Sequence, residues 1–321
     1  MAVVAGIDEA GYGPLLGPLV VSAAAFRVGC GEDDDLWEAL SGAVARARRR
    51  GDDRVAVADS KALLRAGSGL APVEEGVLAF LALTGDGCPT WRAALERLDP
   101  DAGRRADLDR YPWYAGRDAT LPVEASPERV EELAGRLSSV LSSKGVSLAA
   151  LWSAPMEVIE FNALTTRFDS KSMTVASRVF EMLRRLWAAF GAEGVRVVAD
   201  KLGGRNEYRR WLMAEFTGCD VRAEVEGAQE STYVIRAPGR EMKVSFEPKA
   251  DARRMAVALA SMVCKYMREL MMGLLNSYWS QRAPQARPTA GYVEDGRRFL
   301  QDVAPQLDAE PGLRELLIRA R

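Results

Sequence analysis

The stretch GIDEAGYGPLLGPLVV, residues 6–21, ends an apolar run on two adjacent carboxylates, Asp8 and Glu9. It follows them with Gly11, Gly13 and Gly17 and with Pro14 and Pro18. Apolar residues lie on both sides, at 3–7 and 19–26, so the stretch reads as two strands joined by a hairpin-like connection. Burying an unpaired carboxylate is costly. Two adjacent acids at a strand end serve no packing purpose, so either they cap a turn or something positive sits on them.

Further along, the same pattern returns. VRVVAD (195–200) is a short apolar run that stops on Asp200 and continues as KLGG, and Asp251 stands just before a long Ala/Met-rich helix read over 252–275. In an α/β sheet such strand and helix ends are where functional sites gather. Each acid also has an ordinary explanation: Asp251 suits a helix N-cap and Asp200 suits a turn. Four carboxylates brought together would repel one another unless cations neutralise them. Mg²⁺ or Mn²⁺ takes oxygen ligands and needs neither His nor Cys. Two such ions about 4 Å apart activate a water and stabilise the leaving oxygen of a phosphodiester.

Composition narrows the chemistry. The 321 residues are 48% hydrophobic and 27% charged, which suits one large globular α/β domain with additions or two small domains. Basic and acidic residues nearly balance, 43 against 45, so no overall charge advertises nucleic acid and only a local field could. The chain has no histidine. That excludes Ser-His-Asp and Cys-His nucleophiles, imidazole bases and His-ligated zinc. Cys30, Cys88, Cys219 and Cys264 are scattered without CxxC spacing and read as reduced thiols of a cytoplasmic protein. The opening MAVVAGIDEAG has no basic n-region or long apolar core, so it is not expected to be a signal peptide, and no apolar run reaches membrane length.

Between these landmarks, 36–50 has helical periodicity and ends in the basic cluster ARARRR, and VAVADSKALL breaks at Asp59-Ser60-Lys61 into a helix. Residues 85–120, rich in Gly, Pro, Asp and Arg, read as an irregular insertion. Helices are expected at 126–143 and 172–191, the second with the stripe Val175, Val179, Leu183 and Leu186. Strands follow at 195–200, 219–225, 230–235 and 242–247, and a last helix lies near 296–303. Strand–helix–strand alternation of this kind makes an α/β sheet.

Taken together, these motifs resemble the ribonuclease HII family, the type 2 ribonucleases H. GIDEAGYGPLLGP is similar to its opening G-[IV]-D-E-[AV]-G-R-G-P-x-x-G-P, Asp59-Ser60-Lys61-Ala62-Leu63 to its D-S-K-x-L, and Glu160-Phe161-Asn162 to its acidic-x-Asn segment. VVADKLGG resembles the strand ending in its third acid, Asp251 with ALASMVCKYMRE its fourth acid and the helix after it, and Gly291-Tyr292 its late G-Y. The resemblance touches both ends and the middle of the chain.

What it implies is an RNase H-like α/β fold with a mixed five-stranded central sheet flanked by helices. Residues 1–275 would form the catalytic domain, with the irregular segment near 85–120 inserted, and 276–321 a helical extension packed on it. It implies a divalent-metal-dependent endoribonuclease that cuts RNA in RNA–DNA hybrids, or at ribonucleotides embedded in duplex DNA, leaving 3′-hydroxyl and 5′-phosphate ends. Asp8, Glu9, Asp200 and Asp251 would hold two Mg²⁺ or Mn²⁺ ions. Gly11, Tyr12 and Gly13 would approach the ribose 2′-hydroxyl, glycines allowing close backbone contact, while Ser60, Lys61, Ser261, Lys265, Arg268 and Tyr292 would meet the substrate. The expected partner is the nucleic acid itself, with no membrane and a monomeric protein.

Tyr12 replaces the family arginine, removing a cation and adding a stacking surface. Two other readings stay open: a metal nuclease of the same fold acting on structured DNA or RNA, and a non-catalytic nucleic-acid-binding relative.

Overall fold

A computed structural model describes residues 2–29, 35–49, 51–64, 69–85 and 87–320, and of Lys61 the backbone alone. Among the described residues nine strands run in chain order: β1 Ala2–Ala10, β2 Leu19–Val28, β3 Val44–Ala45, β4 Val55–Ala56, β5 Ser147–Met156, β6 Val195–Asp200, β7 Asp220–Glu226, β8 Ser231–Ala237 and β9 Arg240–Glu247. Seven of them form one mixed sheet in the order β5-β2-β1-β6-β9-β8-β7. β5, β2 and β1 are antiparallel neighbours, β1, β6 and β9 run parallel, and β8 and β7 return antiparallel.

The expected mixed sheet flanked by helices is present, with two strands more than the five expected. Tyr233 and Ile235 on β8 alternate into the same apolar layer as Met242, Val244 and Phe246 on β9. The sheet therefore continues past β9 instead of ending there, because period-two burial carries the hairpin onward.

Strand alternation sorts β1 onto two cores. Val3, Ala5 and Ile7 pack with Val175, Val179, Leu183 and Leu186 of the helix Lys171–Phe190, the stripe read from the sequence. The opposite face, carrying Gly6 and Asp8, meets the helix Met255–Arg282, most of whose residues are buried. Gly6 is what lets that helix come close. A Cβ there would lie 2.2 Å from the backbone nitrogen of Val257. Gly6→Ala is accordingly expected to cost at least about 2 kcal/mol, read as a lower denaturant midpoint with an unchanged slope, since strand and helix backbones must separate.

Three segments depart from the sequence reading. The helix expected over 36–50 stops after Leu36–Ala39, and Val44 and Ala45 instead pair in parallel with Val55 and Ala56. Both valines are buried, so β-branched side chains and Gly42 win over helical periodicity; Arg50 lies outside the described residues. The described residues of the segment near 85–120 form helices Trp91–Leu98 and Ala102–Asp107, capped by Thr90 and Asp101. Its Trp91, Tyr111, Trp113 and Tyr114 are buried in the main core, so aromatic burial overrides a polar composition. The long helix begins at Met255, and it continues beyond Leu275 to Arg282.

Helices Val293–Asp302, Ala304–Ala309 and Gly312–Leu317 then pack Phe299, Leu307, Leu313 and Leu317 into the same core. Cys88, Cys219 and Cys264 are unpaired, and Cys30 lies outside the described residues. Among the described residues no helix is long and apolar enough to cross a membrane.

Candidate metal centre and nucleic-acid loop

Asp8 comes at the C-terminal end of β1, on the face covered by the long helix. The parallel register sets Ile7 beside Ala199, so Asp8 and Asp200 follow at one level on neighbouring strands. Val197 and Ala199 point to the other core, which leaves Asp200 on Asp8's face. Asp251 sits in a short 3-10 turn, Ala250–Ala252, and the amide of Ala250 donates to Asp200 Oδ1 at 3.4 Å. The turn is thereby tied to the end of β6. The N-cap of the long helix is Arg254, without a side-chain capping bond, so capping does not explain Asp251.

Asp8 is buried, and its carboxyl is pushed up to about 7, first by burial and further by the negative charges of Asp251 and Asp200; bonds from Ser261 and the Glu9 amide oppose the rise. Ser261 Oγ lies 3.3 Å from Ser60 Oγ, which joins the Asp59-Ser60-Lys61 turn and helix Ser60–Leu64 to the same point. Cys264 Sγ donates to the Asp8 carbonyl at 3.0 Å.

Glu9 follows the alternation to the opposite face, opposite Val21 in the register. The Lys61 side chain lies outside the described residues. The donor set is all oxygen in a chain without histidine, the chemistry of a hard divalent cation. Among the described residues no group of three or more His, Cys, Asp or Glu side chains already converges on one ion. Asp8, Asp200 and Asp251 are neighbours through backbone placement and charge, and their carboxylates are not a closed cage.

The glycine segment lies beside these acids. Gly11 and Gly17 have φ of +93° and +79°, backbone that favours glycine. Gly13 has no such need, since a Cβ there would meet nothing within 4 Å, and Tyr12 is 43% exposed. The tip therefore stands open to a partner. From behind, the Gly291 carbonyl accepts bonds from the Leu15 and Leu16 amides at 2.7 and 3.1 Å, which places the exposed Tyr292 next to the loop.

The helix face read as Ser261, Lys265 and Arg268 splits in three. Ser261 turns to Asp8, Lys265 pairs with Glu269 at 2.6 Å, and Arg268 is 1% exposed. Arg268 donates to the carbonyls of Ala290 at 3.0 Å and Leu16 at 3.4 Å, with its guanidinium 5.8 Å from the Tyr292 ring. It supports the loop from inside, where the sequence reading had it facing phosphates. One helical turn of spacing does not tell an inward cation from an outward one.

Sequence reading missed two groups. Glu247, in register with Asp200 on β9, is buried and bridged by Arg253 and Arg254 at 3.2 and 3.0 Å. Its signal was present, for MKVSFE is another apolar strand ending on an acid. A groove of about 810 Å³ runs past it over the sheet, with Arg196 and Lys243 in its lining. Glu157 is the second. It is buried, accepts from Tyr114 Oη at 2.7 Å, and burial pushes its carboxyl up to about 7 against the pull of Arg319 and Arg268. No sequence spacing links residues so far apart.

No protein-family model matches the chain, and neither does any curated protein sequence. Solved structures do. Ribonuclease HII of Archaeoglobus fulgidus, solved in complex with PCNA, is 17% identical with a TM-score of 0.44, covering 99% of this chain and 94% of that one. Ribonuclease H2 of Pyrococcus horikoshii is 15% identical with a TM-score of 0.43, covering 98% and 92%. RNase H3 of Aquifex aeolicus is 15% identical with a TM-score of 0.37, covering 98% and 71%. These are low similarities.

Proposed function

We propose that this chain is a divergent type 2 ribonuclease H, a divalent-metal-dependent endonuclease that cuts the RNA strand of RNA–DNA hybrids or cuts at ribonucleotides embedded in duplex DNA. The observation that carries the reading is Asp8: a carboxylate buried at the end of a central strand, its protonation favoured partly by the charges of Asp251 and Asp200. A carboxylate so placed weakens the metal-free fold at neutral pH, and it is accounted for if a cation belongs beside it.

Asp8, Asp200 and Asp251 would hold Mg²⁺ or Mn²⁺ after turning toward one another, with Glu9 joining from the opposite face of the strand end. Bound there, such ions supply neutralising charge to the scissile phosphate and a more acidic water for attack. The chain's own residues supply position. The backbone at Gly11–Tyr12–Gly13, exposed at Tyr12 and Gly13, approaches the ribose 2′-hydroxyl, and Tyr12 and Tyr292 offer exposed rings that stack on bases or sugars. Ser261 bonds the Asp8 carboxylate, and Ser60 backs Ser261.

The test is a labelled DNA duplex carrying one ribonucleotide, offered with Mg²⁺ or Mn²⁺ beside a full hybrid and an all-DNA duplex. Cleavage that requires the 2′-hydroxyl is expected. Equal cutting of the all-DNA duplex would move the assignment to a nuclease of other specificity, and no cutting of any substrate would remove the enzymatic reading.

A further inference from the structure

We infer that Arg319 is a positioning residue for the glycine loop, so that the segment Ile318–Ala320 is a working part of the substrate site although it lies about three hundred residues from the loop in sequence. This rests on the reading of that loop as the surface that meets nucleic acid. Arg319 is 2% exposed. Its Nε donates to the Gly17 carbonyl at 2.7 Å and its Nη1 to the Gly11 carbonyl at 2.5 Å, so one planar guanidinium spans both left-handed glycines. Its own amide donates to the Leu15 carbonyl at 3.0 Å, and Ile318 bridges Leu16 in antiparallel fashion. The loop is thus held at four residues, Gly11, Leu15, Leu16 and Gly17.

The grip is itself anchored. The Asn162 side chain donates to the Ile318 carbonyl at 2.9 Å and accepts from the Ala320 amide at 2.6 Å. The guanidinium lies 4.6 Å from the Phe161 ring centre. Glu157 and Arg268 are the charged groups close to it, Glu157 offsetting part of the repulsion between the two arginines. Burying two arginines near each other is unfavourable unless their geometry is used, and among the described residues their hydrogen bonds go to backbone carbonyls: Gly11 and Gly17 of the loop for Arg319, Leu16 of the loop and Ala290 beside it for Arg268. A lysine has no planar fork and cannot hold two carbonyls in a fixed relation. Asn162, part of the segment that resembles the family's acidic-x-Asn motif, thereby serves the loop through Ile318 and Ala320.

The test compares Arg319→Met and Arg319→Lys with the unaltered chain by amide hydrogen exchange and by steady-state cleavage. The surface variant Arg282→Ala is the control. Exchange over residues 11–17 is expected to quicken by at least about tenfold in both variants while the core of the long helix keeps its protection. On a duplex with one ribonucleotide, KM is expected to rise roughly tenfold or more with a smaller change in kcat, and more in the Met variant than in the Lys variant. Unchanged loop exchange in both variants overturns the inference, as does equal acceleration throughout the molecule in both, which marks a purely structural role. If the unaltered chain cuts nothing, the nuclease reading falls while the exchange comparison still decides the clamp.

Discussion

Asp8→Asn is expected to remove cleavage and, in the absence of divalent ions, to make the protein more stable. Loss of one carboxylate from the centre should lower kcat by roughly 10²–10³-fold or more, the scale of removing a group that holds developing charge in place. The gain in stability follows from the sign of the perturbation. In the fold, burial and the nearby Asp251 and Asp200 raise the Asp8 carboxyl from 3.8 to about 7. A carboxyl raised on folding leaves stability intact below its unfolded value and takes it away as pH climbs through the folded one.

Metal-free protein is therefore expected to lose on the order of 2–4 kcal/mol between about pH 4 and pH 8 from this group alone, and Asn escapes that loss. Melting curves at about pH 8 with EDTA should place Asp8→Asn several degrees above the unaltered chain, and the difference should vanish near pH 4. A lower melting temperature for Asp8→Asn at both values would mean that the carboxylate is a structural bond acceptor and not a strained ligand.

Glu74→Ala is expected to be the most damaging single change to the fold outside the centre. Glu74 is fully buried in the helix Ala71–Ala82. One carboxylate oxygen accepts from the Val123 amide and from Tyr266 Oη, the other from the amides of Glu124 and Ala125, all at 2.7 Å. That single side chain joins a helix, a loop fifty residues on and the long helix. Alanine leaves four donors without an acceptor, of which the Ala125 amide and Tyr266 Oη are in buried bonds, at about 1–3 kcal/mol for each that water cannot reach, so a loss of at least about 2 kcal/mol is expected. Glu74→Gln keeps the shape but turns one acceptor into a donor facing donors, and it should recover little. Urea denaturation followed by tryptophan fluorescence measures both. A loss below about 1 kcal/mol for Glu74→Ala would show that the loop re-solvates freely.

How much of this was legible in the sequence differs from residue to residue, for physical reasons. The strand at 195–200 and the helix of Val175, Val179, Leu183 and Leu186 were read nearly to the residue, because each buries one face against the sheet and the burial period is written in the apolar pattern. Asp8 and Asp200 stood out because an acid at the end of an apolar run is locally anomalous, and Asp251 because it stands just before the long helix. The buried arginines did not, since Arg268 on a helix looks the same in sequence whether it faces solvent or the underside of a loop. Glu74 and Arg319 carry no local signal in the sequence, because their partners lie far away along the chain. The segment at 85–120 was misjudged on composition. Its Gly, Pro and Asp mark caps and turns between short helices, and its aromatics do the burying.

The central claim is that Asp8, Asp200 and Asp251 form one anionic site made for divalent ions. Titration of the purified chain with Mn²⁺, followed by the loss of the free-ion paramagnetic resonance signal, tests it without reference to any substrate. Saturable binding is predicted for the unaltered chain, together with its loss in a variant carrying Asp8→Asn and Asp200→Asn. Equal Mn²⁺ uptake by the two proteins, or none by either, would contradict the account.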